Sequence, residues 1–165
     1  MNYFFDNGKV VPGYVKKFIM GFIPSQIVIH RSELDKLFNT DRECNCTITI
    51  DERSIDERSI SSDKHTGNIK RTRHINIHVK NVLLSDDVES CLYEMTIDVG
   101  MFNNTFDGKY QMIRRHLSSA NTHRLYKDIL TYKNGIPDGE YLQTFSTSER
   151  NISKIHLYNS GRLIR

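Results

Sequence analysis

Strict alternation of apolar and polar residues recurs along this chain, and it constrains the fold strongly because only an extended strand sends every second side chain to the same face. Over 44–50, Cys44, Cys46, Ile48 and Ile50 share one face, and Asn45, Thr47 and Thr49 share the other. Over 73–80, Ile75, Ile77 and Val79 oppose His74, Asn76, His78 and Lys80. Over 93–99, Tyr93, Met95, Ile97 and Val99 oppose Glu94, Thr96 and Asp98. Each run predicts a half-buried strand. Helical signal is thin by comparison. Ser32 with Asp35 makes a capping-box pattern, and Leu34, Leu37 and Phe38 form an apolar stripe, so one short helix is predicted over 32–39. Residues 15–22 are apolar without a decisive period, and 85–91 suit a single helical turn because acids follow Ser85.

A chain of 165 residues with 38% hydrophobic and 26% charged side chains is expected to bury one core and fold as one domain, 1–165. No apolar run approaches the roughly 18 residues of a membrane span, and 1–10 lacks the basic start and apolar stretch of a secretory leader. An odd set of cysteines, Cys44, Cys46 and Cys91, argues against a disulfide framework. Both observations predict an intracellular protein without a membrane span. Asn, Ile, Ser, Lys and Tyr are abundant and Ala, Pro and Trp scarce, a bias that suits the AT-rich genome of a giant DNA virus, a protist or a low-GC bacterium. A viral source would place the protein in the host cytoplasm or the virion.

The formal charge of +3 hides an uneven distribution: 51–63 carries five acids against two arginines, and 64–80 carries five Lys and Arg and no acid. The acidic stretch contains the tandem Asp51-Glu52-Arg53-Ser54-Ile55 and Asp56-Glu57-Arg58-Ser59-Ile60. Its polarity predicts an exposed loop over 51–69, within an N-terminal β-rich part, 18–90. Such a loop is a binding element or, the preferred reading, a tolerated expansion, because closure entropy grows slowly with length.

The remainder, 91–165, repeats itself. Tyr132-Lys133-Asn134-Gly135-Ile136-Pro137-Asp138-Gly139-Glu140-Tyr141 is echoed by Met101-Phe102-Asn103-Asn104-Thr105-Phe106-Asp107-Gly108-Lys109-Tyr110. Asn-Gly and Asp-Gly supply the positive φ angles of tight hairpin turns, and Asn is the usual substitute for Gly there. A partial copy closes the chain at Tyr158-Asn159-Ser160-Gly161-Arg162-Leu163-Ile164, and another opens it at Phe5-Asp6-Asn7-Gly8 with Gly13-Tyr14 following. Each unit is expected to run strand, Asn-Gly turn, a short link holding Asp-Gly, then strand. The result is a meander such as 126–132, 139–146 and 152–158. The string aromatic-x-Asn-Gly-x-x-Asp-Gly-x-Tyr resembles MORN-type repeats, in the variant found in bacterial and giant-virus proteins. Asn104 replaces the turn glycine, and the second glycine of the usual unit is missing. The resemblance implies stacked β-hairpins and a role in binding or scaffolding.

Candidate chemistry is sparse. Cys44 and Cys46 with His74 and His78 are a zinc-type donor set, but alternation puts the thiols and imidazoles on opposite faces, so the cysteines are read as core and no metal is assigned. No Gly-x-Ser-x-Gly elbow or phosphate-binding glycine loop occurs. His30, His116, His123 and His156 thus lack a nucleophile to serve, and no catalytic residue or cofactor is assigned. Glu94 and Asp98 project from one strand face about 7 Å apart, a spacing open to a carboxylate site but commoner for solvated acids. Nucleic acid is the stronger competitor. Lys70, Arg71, Arg73, His74, His78 and Lys80 cluster, as do Arg114, Arg115, Arg124 and Lys127, and a basic β-surface tracks phosphates. Tyr110, Tyr126 and Tyr132 offer stacking faces, although tyrosines alternating on strands more often pack in a core.

The sequence therefore predicts a mainly β protein, or an α+β variant of it: an antiparallel meander of β-hairpins with one short helix. Its expected role is a non-enzymatic interaction or structural module with a protein partner or a second copy of itself, including contact between the basic clusters and the acidic stretch of a neighbour. Nucleic-acid binding is the alternative, and an enzyme using histidine and carboxylates comes third. Asn134, Gly135, Asp138 and Gly139 are expected to hold the turns.

Overall fold

The computed structural model describes residues 2–5, 13–29, 44–58, 69–84, 89–117 and 123–165. These build one antiparallel sheet of nine strands paired strictly in chain order. The strands are β1 (Asn2–Phe5), β2 (Cys44–Arg58), β3 (Ile69–Leu84), β4 (Glu89–Phe102), β5 (Thr105–Leu117), β6 (His123–Lys133), β7 (Ile136–Ser146), β8 (Asn151–Asn159) and β9 (Arg162–Leu163). A single helix among the described residues, α1 (Gly13–Met20), separates β1 from β2. The mainly β meander expected from alternation is what the chain forms.

Side-chain parity decides the core. Three cross-strand rows share one sheet face: Ile48, Val79, Met95, Arg114, Tyr126, Phe145 and Ile152; Ile50, Ile77, Ile97, Met112, Asp128, Gln143 and Lys154; and Ile75, Val99, Tyr110, Leu130, Tyr141 and His156. The rows are aliphatic through β2–β4 and turn aromatic and polar towards β8. Val15 and Ile19 of α1, four residues apart and so on one side of the helix, and Ile27 after it bury into the same cluster as Ile77, Met95 and Ile97. Aliphatic side chains of this size contribute about 1.5–3 kcal/mol each when fully buried, so these rows dominate the stability of the sheet.

Several sequence expectations need correction. The predicted helix over 32–39 lies outside the described residues, and the helix that is described forms in the apolar 15–22 region, where packing against the sheet compensates for weak periodicity. Of the exposed loop expected over 51–69, residues 51–58 are strand: β2 continues to Arg58, in register with Ile69 of β3, while 59–68 lie outside the described residues. Its polar composition misled because a ladder needs only backbone groups, and cross-strand ion pairs, Arg73 Nε to Glu52 Oε1 at 2.7 Å and Arg71 Nε to Asp56 Oδ1 at 2.8 Å, replace apolar pairs there. The bond from Arg73 holds the Glu52 carboxyl below its usual range. Residues 89–91 belong to β4 rather than to a helical turn. At the start of the chain Gly13 and Tyr14 of the partial repeat copy begin α1, and its Asp6-Asn7-Gly8 lies outside the described residues.

Candidate functional site

The turn edge is where the repeat acquires a physical meaning. Asn103–Asn104, Asn134–Gly135 and Ser160–Gly161 each have positive φ at both central positions, between 48° and 82°, the signature of type I′ hairpin turns. The Asp-Gly that follows is not a link between strands. Val99 pairs with Tyr110 and Met101 with Phe106, so Gly100 alone faces residues 107–109. Leu130 pairs with Tyr141 and Tyr132 with Pro137, so Thr131 alone faces 138–140. Both Asp-Gly pairs thus sit in equivalent bulges, with Gly108 and Gly139 at φ 86° and 102°.

The bulges turn each aspartate toward the next hairpin. Asn134 N donates to Asp107 Oδ1 at 3.2 Å, and Ser160 N donates to Asp138 Oδ1 at 3.2 Å. Alongside, Gly135 N donates to Phe106 O at 2.7 Å and Gly161 N to Pro137 O at 2.8 Å. Each hairpin therefore grips the following turn by the same two bonds, a clasp that recurs at equivalent repeat positions. Asn134 and Gly135 form the β6–β7 turn, whereas Asp138 and Gly139, expected at turns, sit in the bulge inside β7, and the clasp role of the aspartates escaped the sequence. The fixed spacing of Asn-Gly to Asp-Gly was the signal for it.

Alternation splits the predicted contact residues between the two faces. Arg71, Arg73 and Arg114 lie on the core face, the first two paired to Asp56 and Glu52. His74, His78, Lys80, Arg115 and Lys127 lie on the opposite, open face, and Lys70 stands in β3 across from Glu57. On the open face Glu94 is the hub: His78 Nε2 lies 2.8 Å from Oε1, and Arg115 Nη1 donates to Oε2 at 3.3 Å. Two adjoining depressions share Glu94 and Arg115. One, of about 530 Å³, is lined also by Lys80, His116, His123, Arg124 and Leu125. The other, of about 390 Å³, includes His78, Asn76, Thr96 and Asp51. His78, Lys80, Arg115 and Arg124 are thus brought together. Asp98 shares the face of Glu94 but lines neither depression.

The remaining candidates disperse. Tyr110 and Tyr132 are buried at 0% and 4% exposure, which closes their rings to bases. Burial, reinforced by neighbouring charge, holds the Tyr110, Tyr132 and Tyr141 phenols well above the ordinary tyrosine range. Cys46 is buried in the core, on the face opposite His78. Among the described residues, no group of three or more His, Cys, Asp or Glu is placed to hold a metal ion. His123 is exposed and His156 half-buried against Tyr141, while His30 lies outside the described residues. No described helix is long and apolar enough to cross a membrane.

Sequence reasoning also missed a buried polar cluster on the core face. Arg114 of β5 and Asp128 of β6 are 6% and 3% exposed, with Nη2 and Oδ2 3.5 Å apart. Tyr141 Oη donates to Asp128 Oδ1 at 3.1 Å and Gln143 Nε2 to the same oxygen at 3.3 Å. The Arg114 guanidinium lies 4.9 Å from the Tyr126 ring centroid, and that ring stands 4.8 Å from Phe145. Parity was the available signal, since Arg114 alternates with Tyr110 and Met112, and Asp128 with Leu130 and Tyr132.

No family model matches the chain, no curated protein is similar to it in sequence, and no solved structure is similar to it in fold.

Proposed function

We propose that this chain is a non-enzymatic interaction or structural module assembled from MORN-like hairpins, whose last strands pair with another chain. The observation that carries this reading is the repeated clasp, which joins hairpins by one rule and leads to β8, whose first half no described strand pairs on its outer side. Leu157 exchanges backbone bonds with Ile164 and Arg165, and alternation directs the backbone groups of Ser153 and Ile155 to the same side, where no described strand pairs with them. Ile152 and Ile155, on opposite faces of β8, are 47% and 61% exposed. An unpaired edge flanked by apolar side chains is a template for strand addition. Sedimentation over a range of concentrations tests this: the chain should self-associate, and Ile155→Lys should return it to monomer with its fold intact. A wild-type chain that stays monomeric at high concentration and low salt sinks the self-pairing form of the proposal.

Nucleic-acid binding remains the second reading because His78, Lys80, Arg115 and Arg124 line adjoining depressions. Binding of labelled DNA and RNA at about 50 and 200 mM salt discriminates, since phosphate-driven affinity falls steeply over that range. Tight, salt-sensitive binding lost in Lys80→Ala/Arg115→Ala would favour this reading over the first, and no binding would eliminate it.

A further inference from the structure

The Arg114–Asp128 cluster is unusual for a position flanked by aliphatic core. A buried ion pair adds little stability over apolar residues of the same size, so stability alone does not explain its presence among rows of Ile, Val and Met. Asp128 accepts from Tyr141 and Gln143 on the adjacent strand, and so stands as a fixed anchor beside the guanidinium, held by groups from β7. Beside this cluster opens a cavity of about 190 Å³, lined by Arg114, Asp128, Gln143, Lys154, Phe145 and Ile152 among others.

We infer that this cavity is a binding site for a small monocarboxylate with an apolar or aromatic body. Arg114 and Lys154 bring two positive charges to the lining and Asp128 one negative charge, a balance of one positive charge that a single carboxylate neutralises. A dianionic phosphate meets the Asp128 carboxylate at close range and is disfavoured. Guanidinium forks match carboxylate geometry, and preorganisation by Asp128 reduces the ordering cost of binding. Tyr126, Phe145 and the half-exposed Ile152 form the wall on which the carbon body rests. The site stands on its own geometry, so its failure leaves the module proposal unaffected.

Benzoate is the first probe, with benzamide as its neutral isostere and inorganic phosphate as the dianion, each titrated into the full ¹⁵N-labelled chain. Benzoate should shift the amides of Asp128, Gln143 and Lys154, and bind about tenfold tighter than benzamide, the difference of one charge-assisted hydrogen bond. N-acetylphenylalanine separates the sources: tighter binding than benzoate points to a peptide C-terminus, and weaker binding to a free acid. Lys154→Gln changes an exposed side chain, so it should fold and weaken benzoate several-fold. Arg114→Gln should abolish binding if it folds. Absence of shifts at these amides, equal binding of benzamide, preference for phosphate, or an unaffected Lys154→Gln would each overturn the assignment.

Discussion

Tyr110 shows how much one side chain's position in a sheet sets its chemistry. Its ring is fully buried among Phe106, Tyr132 and the strands beneath α1, and its hydroxyl has no hydrogen-bond partner among the described residues. A buried hydroxyl left unmatched costs about 1–3 kcal/mol, so Tyr110→Phe is expected to leave stability unchanged or raise it by about 1 kcal/mol, as measured by urea unfolding. The same burial gives a pH dependence. Tyr110, Tyr132 and Tyr141 have folded pKa values raised above that of an unfolded tyrosine, about 10. Below that pH both states keep the proton and the contribution is complete. Above it the unfolded chain releases protons that the folded chain retains, so stability falls as pH rises. Melting temperature should therefore drop steeply beyond about pH 10, and Tyr110→Phe should make that drop shallower.

At the scale of an element, the unit is a hairpin plus the clasp it extends to the next. Removing one carboxylate tests it. Asp138→Ala loses the bond to Ser160 N and should cost about 1–2 kcal/mol, with amide exchange accelerating in β8 and β9 and nowhere else. Asp107→Ala, at a more buried position, should cost more and loosen the β6–β7 turn. The bulge opposite Asp107 makes a sharper demand. A Cβ placed on Gly100 would stand 2.4 Å from the Asp107 backbone oxygen, which cannot swing away as a side chain would. Gly100→Ala should destabilise by about 2 kcal/mol in denaturant titration. At the equivalent bulge Thr131 is accepted, so the two copies share their hydrogen bonds but not their clearance.

Across the whole molecule, stability should be graded along the sheet. The rows of Ile48, Ile77, Ile97 and Met112 are buried under α1, whereas β8 is exposed or half-buried throughout. Native-state hydrogen exchange should find the slowest amides in β3–β5 and progressively faster ones through β7, β8 and β9. Equal protection from β3 to β8 would contradict this gradient and show that the clasps, rather than the aliphatic rows, carry the cooperativity. The gradient also bears on function. An edge that opens locally at low cost is the part of the sheet most ready to exchange its pairing for a strand of another chain.

Much of this architecture was legible in the chain because it depends on near neighbours. Alternation over 93–99 is a local pattern, and Asn134-Gly135 specifies a type I′ turn by the φ angles its residues tolerate, so β4 and the β6–β7 hairpin were readable without tertiary information. Residues 51–58 were misread because their polar side chains reveal strand only when Arg71 and Arg73 stand opposite to pair them. The contact clusters divide between the two faces for a related reason. Residues adjacent in sequence alternate between faces, so Arg114 enters the core while Arg115 meets Glu94 on the open face. The clasps, the buried Arg114–Asp128 pair and the seat of α1 arise from contacts between strands and segments distant in sequence. Strand period and turn positions were thus determined by the sequence through local backbone preference, while burial, partner and face were decided only by the closing of the sheet, which brings distant side chains into register.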